Sequence, residues 1–450
     1  MSQALTPPSY REILVFIIPL ILGLLTTALH TLIDTLFIAQ LGTAQLAAIP
    51  LASFIYIIGW LFLVGILRNS IAFIGRAFGK HQYHKIGIIL AHYHPIALLG
   101  LPLLGLFIQS WPLFSTIANL NPNIDNYAWI YLQIRVWEIS FSLILILYSS
   151  FYQAIGNSRF PMQIMIITLL ANIILDYGLI FGKWGMPELG VAGSALATVL
   201  AQALGALMIM SISFLKPTRA QFNLQIFVSF DFSLFKQILQ IGLPQGFGNL
   251  IEILAWVGLF LIVGSLGESA LAANNIGVQV THLLFLPGAA AGTAAASYVS
   301  RFLGAGRPDL AQIATYRTLI LGITYMGLLG IPLWFWGEGI ARWFSNDATV
   351  IYQAGLIFKI MALYQIFDGI STILRFALNG AGDTLVPTFL LFGCAILVMF
   401  PTALFLSQQL EPGLVGAWLG AFAFLIVLSI LMIYRYRSGH WQTILKTDPV

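Results

Sequence analysis

The stretch ILVFIIPLILGLLTTALHTLIDTLFIA, residues 13–39, indicates the fold class of this chain. This apolar run is longer than the ~20 residues that a helix needs to cross a bilayer. It is also too long for the apolar core of a signal peptide, so we expect an uncleaved first span. Its one acidic residue is Asp34. A carboxylate in hydrocarbon costs about 2.5–3.5 kcal/mol on insertion scales, which makes Asp34 a candidate functional residue.

The composition extends this interpretation to the whole chain. Of 450 residues, 59% are hydrophobic and 8% are charged, whereas an ordinary globular domain is about 25% charged. Lipid is therefore the expected surrounding of most residues. The net charge of +4 does not indicate a nucleic-acid partner, and the single Cys394 excludes an intrachain disulfide.

Charged residues, prolines, glycines and asparagines divide the chain into twelve apolar runs. The runs are 11–39, 46–77, 88–110, 127–153, 160–182, 188–214, 234–264, 270–301, 312–337, 350–380, 386–408 and 412–436. Lys and Arg are concentrated in the connections after the even-numbered runs, which predicts that both termini are cytoplasmic. The sequence thus predicts an all-α, multi-pass integral membrane protein.

The two halves of the chain repeat. The matching positions are Gly42 with Gly267, Pro19 with Pro244, Arg76 with Arg301, Gly156 with Gly382, and Gly193 with Gly416. Six spans per half is an even number, so both copies point the same way. We therefore expect two parallel six-helix repeats, with one lobe at 1–222 and the other at 223–450. Repeats of this kind place a substrate site between two lobes that rock.

Three further carboxylates, Asp176, Glu252 and Asp368, lie inside apolar runs. The repeat aligns Asp34 with Leu259, Glu252 with Thr27, and Asp368 with Leu143. Duplication of a scaffold therefore does not explain these acids. We interpret the set as a cation-handling interior.

In the first half, Asn172 and Asp176 are four residues apart and share a helical face. Thr198 lies on the next span. Asp34 has His30 one turn before it, either as a proton relay or as a hydrogen-bond partner. Two carboxylates, an amide and a hydroxyl suit Na⁺ or a proton rather than a soft metal.

In the second half, Gln245, Asn249 and Glu252 form a stripe on span 7. Tyr364 and Asp368 are four apart on span 10. We expect Glu252 and Asp368 to converge on one cation, with Tyr364 in support.

The alternative for any single acid is a structural salt bridge, and Arg68 and Lys359 are the candidate partners. Pro19 lies mid-helix, where it removes a backbone hydrogen bond, so it is a candidate hinge.

Several motifs resemble one family. They are Asp34-Thr35-Leu36-Phe37, Gly156-Asn157 with Pro161, Asn172 through Asp176, Gly190-Val191-Ala192-Gly193, and Gly380-Ala381-Gly382-Asp383. Over nearly its whole length the chain resembles a MATE (multidrug and toxic compound extrusion) transporter. The resemblance implies twelve helices in two lobes around a central cavity. It also implies an antiporter, driven by Na⁺ or H⁺, that exports amphipathic, often cationic, organic compounds.

The resemblance also implies site residues. The first-lobe cation site would comprise Asp34, Asn172, Asp176 and Thr198. The second-lobe cation or substrate site, like that of NorM-type members, would comprise Glu252, Tyr364 and Asp368. From the residues themselves, we expect supporting roles for His30, Gln245 and Asn249, and Na⁺ at either acidic cluster. We expect a monomer in the inner membrane, with no cofactor beyond the coupling ion.

Two other functions fit a protein of this composition. A flippase for lipids or lipid-linked oligosaccharides should present cations to a pyrophosphate, and Arg68 and Arg135 are the first-half candidates. Four acids against two arginines favour export of cations. A membrane-embedded enzyme is not expected, because the sequence has no His/Glu metal motif.

Overall fold

The computed structural model describes residues 6–226, 228–410 and 413–445, which form helices and connections without a strand among them. The helices of the first half are α1 (Tyr10–Ala39), α2 (Thr43–Arg68), α3 (Ser70–Gly79), α4 (Tyr83–Ile108), α5 (Trp111–Ile117), α6 (Pro122–Arg135), α7 (Glu138–Ala154), α8 (Arg159–Phe181), α9 (Val191–Ser213) and α10 (Lys216–Phe222). Those of the second half are α11 (Phe232–Gly264), α12 (Glu268–Gly304), α13 (Pro308–Ala341), α14 (Ala348–Gly380), α15 (Leu385–Cys394), α16 (Phe400–Gln409) and α17 (Gly413–Arg437). A π-helical turn, Ala395–Met399, joins α15 to α16, and a 3₁₀ turn, His440–Gln442, follows α17.

The predicted all-α membrane fold is confirmed. Within the described residues, eleven helices are long and apolar enough to cross a membrane, and the number is twelve if the bent pair α6 and α7 forms one span. Each of the twelve predicted runs therefore corresponds to a helix or to a pair of adjoining helices.

Several of these spans are irregular, including those predicted at 127–153 and 386–408. The span predicted at 127–153 consists of α6 and α7, which meet at 50°. At this bend two backbone hydrogen bonds reach back three residues, as in a 3₁₀ helix, and not four. Trp137 N–H donates to the Ile134 carbonyl, and Ile139 N–H donates to the Val136 carbonyl. The span predicted at 386–408 contains the π-helical turn. Pro401 lies two residues after that turn, and a proline ring clashes with the carbonyl of the residue four positions earlier, here Leu397.

The chain divides into two compact units. The described part of the first unit is residues 18–226 and 228–246, and that of the second is residues 6–17, 247–410 and 413–445. The predicted lobes at 1–222 and 223–450 stay a prediction. The units differ from them in two places, since residues 6–17 belong to the second unit and the beginning of α11 belongs to the first.

The connection between the two halves packs on the first unit. Phe222 and Leu224 are buried. The Asp231 backbone N–H donates to His92 Nε2 at 2.8 Å, and His92 Nδ1 lies 2.8 Å from the Ile88 carbonyl oxygen. His92 therefore ties the end of the connection to α4. These contacts explain why the first unit extends past residue 222.

Glycines that match in the repeat have the same structural role in both units. Gly42 and Gly267 precede α2 and α12 with φ of 137° and 110°, a conformation that side-chain-bearing residues rarely adopt. Gly193 and Gly416 lie where helices of one hairpin cross closely. A Cβ at Gly193 would overlap the Leu179 carbonyl oxygen, and a Cβ at Gly416 would overlap that of Leu406.

Gly193→Ala is expected to destabilise the first unit. The added methyl would meet backbone atoms of α8, which cannot rotate away, and overpacking of this kind costs about 1–3 kcal/mol. The measurement is the thermal unfolding midpoint of the purified protein in detergent. Gly393→Ala is the matched control, because its Cβ would meet nothing within 4 Å. Equal midpoints for the two variants would contradict the close crossing of α8 and α9.

Candidate functional site

Four polar side chains from three helices are buried in the first unit. Asp34 lies on α1, Asn172 and Asp176 on α8, and Thr198 on α9, and all four are at most 7% exposed. We call them the first acidic cluster. The Asp176 carboxylate approaches both Asp34 and Asn172. The structure therefore brings together the two carboxylates that the sequence separates by more than a hundred residues.

The oxygens of this cluster are unsatisfied. Within the described part of the chain, neither oxygen of Asp176 makes a hydrogen bond of normal geometry, and the same is true of Asp34 Oδ1 and of both amide atoms of Asn172. A buried polar atom without a partner costs about 1–3 kcal/mol, and a charged one costs more. A cluster of this kind is suited to binding a cation or protons, which would satisfy the free oxygens.

Thr198 and His30 flank the cluster in different ways. The Thr198 hydroxyl donates to the Ser194 carbonyl at 3.0 Å, which leaves its lone pairs for a further partner. His30 Nε2 lies 3.4 Å from Asp34 Oδ2, a contact without hydrogen-bond geometry. His30 is therefore adjacent to Asp34, as its spacing on α1 predicted.

A cation lies close to this cluster but has its own partners. Arg135 Nε donates to Glu138 Oε2 at 3.0 Å, and its guanidinium also contacts the Tyr131 hydroxyl. The guanidinium lies over the Tyr56 ring, 5.1 Å from its centroid. Arg135 also interacts electrostatically with Asp34. The Glu138 carboxylate is thus the direct partner of Arg135, and Asp34 is a more distant one.

The second unit has a different arrangement, because its glutamate is paired. Arg375 Nη1 donates to Glu252 Oε2 at 2.8 Å, and Arg375 Nη2 donates to Glu252 Oε1 at 3.1 Å. This two-pronged contact is the strong form of an arginine–carboxylate pair. The Arg375 side chain is 11% exposed and that of Glu252 is 31% exposed. Arg375 therefore neutralises one of the two acids expected to bind a cation.

Asp368 lies near this pair. It interacts electrostatically with Glu252 and Arg375, and one of its oxygens is 3.5 Å from the Thr372 hydroxyl. We call Glu252, Asp368 and Arg375 the second charged cluster. Its formal charge is −1, from two carboxylates and one guanidinium.

Tyr364 is fully buried beside this cluster. Its hydroxyl and that of Thr281 are 2.9 Å apart, and its ring stacks on Trp418 with a centroid distance of 6.1 Å. Tyr364 also interacts electrostatically with Asp368. The tyrosine is therefore held in place by packing and a hydrogen bond, one helical turn from the carboxylate.

The remaining predicted residues, on α11 and α1, do not form one cluster. Gln245, Asn249 and Glu252 all lie on α11, but Gln245 belongs to the first unit and the other two to the second. Pro19 lies inside α1, two residues past the point where that helix passes from one unit to the other. Its role as a hinge stays a prediction.

The structural salt bridge considered as the alternative for any single acid is present at Glu252. Its partner is Arg375 and not one of the two candidates, Arg68 and Lys359. Sequence reasoning missed Arg375, which lies seven residues after Asp368 and so on the same face of α14. That spacing, together with the rarity of arginine inside an apolar run, was the available signal.

Comparisons with known proteins show which family and which relatives this sequence matches. The MatE family model matches residues 19–178 and 244–405. One relative is the probable multidrug resistance protein NorM of Thermotoga maritima, which is 28% identical over 97% of this chain and 94% of that protein. Another is the multidrug resistance protein NorM of Burkholderia vietnamiensis, which is 30% identical over 93% of this chain and 92% of that protein.

Solved structures have the same fold. A mutant of the Vibrio cholerae MATE transporter VcmN superposes with a TM-score of 0.87 at 19% identity, covering 96% of this chain and 98% of that one. The eukaryotic MATE transporter AtDTX14 superposes with a TM-score of 0.86 at 18% identity, covering 96% of each chain. At such low identities these likenesses show the fold alone.

Proposed function

The chain belongs to the MatE family of efflux transporters, and we propose that it is an antiporter, driven by Na⁺ or H⁺, that exports amphipathic, often cationic, organic compounds. The family resemblance noted in the sequence is thereby confirmed, and the protein is a transporter rather than an enzyme. The finer proposal includes a monomer in the inner membrane with both termini in the cytoplasm.

The observation that carries the proposal is the first acidic cluster. Asp34 and Asp176 lie close together, buried, with oxygens that make no normal hydrogen bond in the described residues. Glu252, in contrast, is held by Arg375. We therefore assign the coupling ion to Asp34, Asn172, Asp176 and Thr198, and the organic cation to the second unit near Tyr364 and Asp368.

Exchange follows from differential affinity. A coupling ion that binds the first acidic cluster favours one arrangement of the protein, and an organic cation favours the other. A ligand shifts such an equilibrium only by the difference between its affinities for the two states. Pro19, which weakens the hydrogen-bond ladder of α1, is the place where we expect that helix to bend when Asp34 is neutralised.

The test is transport in sealed, everted membrane vesicles in which Na⁺ and pH gradients are imposed one at a time. We expect one of the gradients to drive uptake of the monocationic dye ethidium, and an ionophore that collapses that gradient to stop it. Vesicles without the protein are the control. If neither gradient drives uptake, the antiport proposal is wrong.

The flippase alternative has less support. It needs cations available to a pyrophosphate. Arg135 and Arg375 are each paired with a glutamate at 3.1 Å or less, which leaves Arg68 as the remaining candidate of the three. A pyrophosphate would have to displace a carboxylate in either place. Export of cations requires no such displacement at the first acidic cluster.

A further inference from the structure

Arg375 is the positively charged partner of Glu252 in the second unit. Its guanidinium contacts both oxygens of Glu252 and lies within electrostatic range of Asp368. Arginine keeps its positive charge in proteins, so it acts as a permanent counter-ion that is fixed to α14. The Thr372 hydroxyl, between Asp368 and Arg375 on the same helix, donates to Asp368 Oδ1 at 3.5 Å.

We propose that Arg375 restricts the second unit to singly charged organic cations. The second charged cluster has a formal charge of −1, so one added positive charge neutralises it. A second positive charge would add repulsion from the guanidinium without a further carboxylate to offset it. The inference rests on the proposed antiport function and names the substrate class for it.

The two side chains of the pair differ in exposure. That of Glu252 is 31% exposed, whereas that of Arg375 is 11% exposed. The Arg375 guanidinium also lies 5.8 Å from the centroid of the Phe376 ring. The carboxylate end of the pair is therefore the more accessible one, and Arg375 halves the formal charge that the two carboxylates of the cluster present to a cation.

The experiment compares two dyes that share a phenanthridinium ring, the monocation ethidium and the dication propidium. Uptake of each is measured in everted vesicles under the gradient that drives the wild type. For Arg375→Gln, which gives the cluster a charge of −2, we expect the propidium-to-ethidium ratio to rise roughly tenfold, equivalent to about 1.4 kcal/mol. For Arg375→Lys, which keeps the charge, we expect the wild-type ratio.

Two controls separate charge from side effects. Lys359→Gln makes the same change of charge at an exposed position on the same helix, and we expect it to leave the ratio unchanged. Glu252→Gln with Arg375→Gln removes the pair but keeps the cluster at −1, so its ratio should also stay at the wild-type value. The ratio, and not the rate, is compared.

Different outcomes of this experiment test the antiport proposal and the role of Arg375. If the wild type takes up neither dye, the antiport proposal fails. If the wild type transports ethidium and Arg375→Gln leaves the ratio unchanged, or if the paired variant shifts it as Arg375→Gln does, then Arg375 does not set charge selectivity.

If the Arg375→Gln variant does not fold, a further variant tests the inference. Asp368→Asn added to the paired variant brings the cluster to zero charge. We expect equilibrium binding of ethidium to that purified protein to weaken roughly tenfold, or about 1.4 kcal/mol, relative to the paired variant. Equal binding would remove the second charged cluster from substrate binding, and the inference about Arg375 with it.

Discussion

Asp176→Asn is expected to lower ion-driven efflux by about 5- to 150-fold, the range that corresponds to a coupling free energy of about 1–3 kcal/mol. Asp176 is fully buried, approaches Asp34, and has two oxygens that make no normal hydrogen bond in the described residues. An amide of the same shape lacks the charge that would bind the coupling ion. The measurement is ethidium uptake in everted vesicles against the size of the imposed gradient.

The matched control is Asp125→Asn in the same unit. Asp125 accepts a hydrogen bond from Trp111 Nε1 at 2.7 Å, and an asparagine carbonyl can accept the same bond. We expect this variant to keep its dependence on the gradient. Retention of wild-type ion dependence by Asp176→Asn would remove the first acidic cluster from the coupling mechanism.

Glu252→Gln is expected to reduce the stability of the second unit strongly. Removing the carboxylate deprives the largely buried Arg375 guanidinium of its closest partner, and breaking a buried pair in this way costs about 3–5 kcal/mol. Asp368 is near enough to offset part of this loss. The measurement is the thermal unfolding midpoint in detergent.

The paired variant, Glu252→Gln with Arg375→Gln, tests the cause. Removing both charges leaves no unpaired ion, and such replacements are often neutral for stability. We therefore expect its midpoint to lie close to that of the wild type. If the paired variant is as unstable as Glu252→Gln alone, the glutamate stabilises the protein by some contact other than Arg375.

Local spacing predicted the parts of the site that lie on one helix. Asn172 with Asp176, and His30 with Asp34, are four residues apart and were expected to be neighbours. The spans could also be predicted from the sequence, because a membrane helix is a long apolar run. The bend at Val136–Trp137 could not be predicted, because neither residue is a proline or glycine and nothing in the sequence marks the change in hydrogen bonding there.

Contacts between helices that are distant in the sequence could not be predicted. Glu252 and Arg375 are 123 residues apart, and their pairing depends on how α11 and α14 pack. The repeat offered no help, because the acids have no acidic counterparts in the other half. The expectation that Glu252 and Asp368 converge on one cation took no account of Arg375, which is the partner of Glu252.

The repeat-matched glycines have an evolutionary consequence. Gly193 and Gly416 allow the same close helix crossing in the two units, and Gly42 with Gly267 begin α2 and α12 in the same backbone conformation. After a duplication, loss of either glycine would disrupt a crossing, so both copies are under the same constraint. Asp176, whose oxygens make no normal hydrogen bond in the described residues, can be replaced without such a clash. The shared framework is thus constrained alike in both copies, whereas the interior charge of each copy is not tied to it.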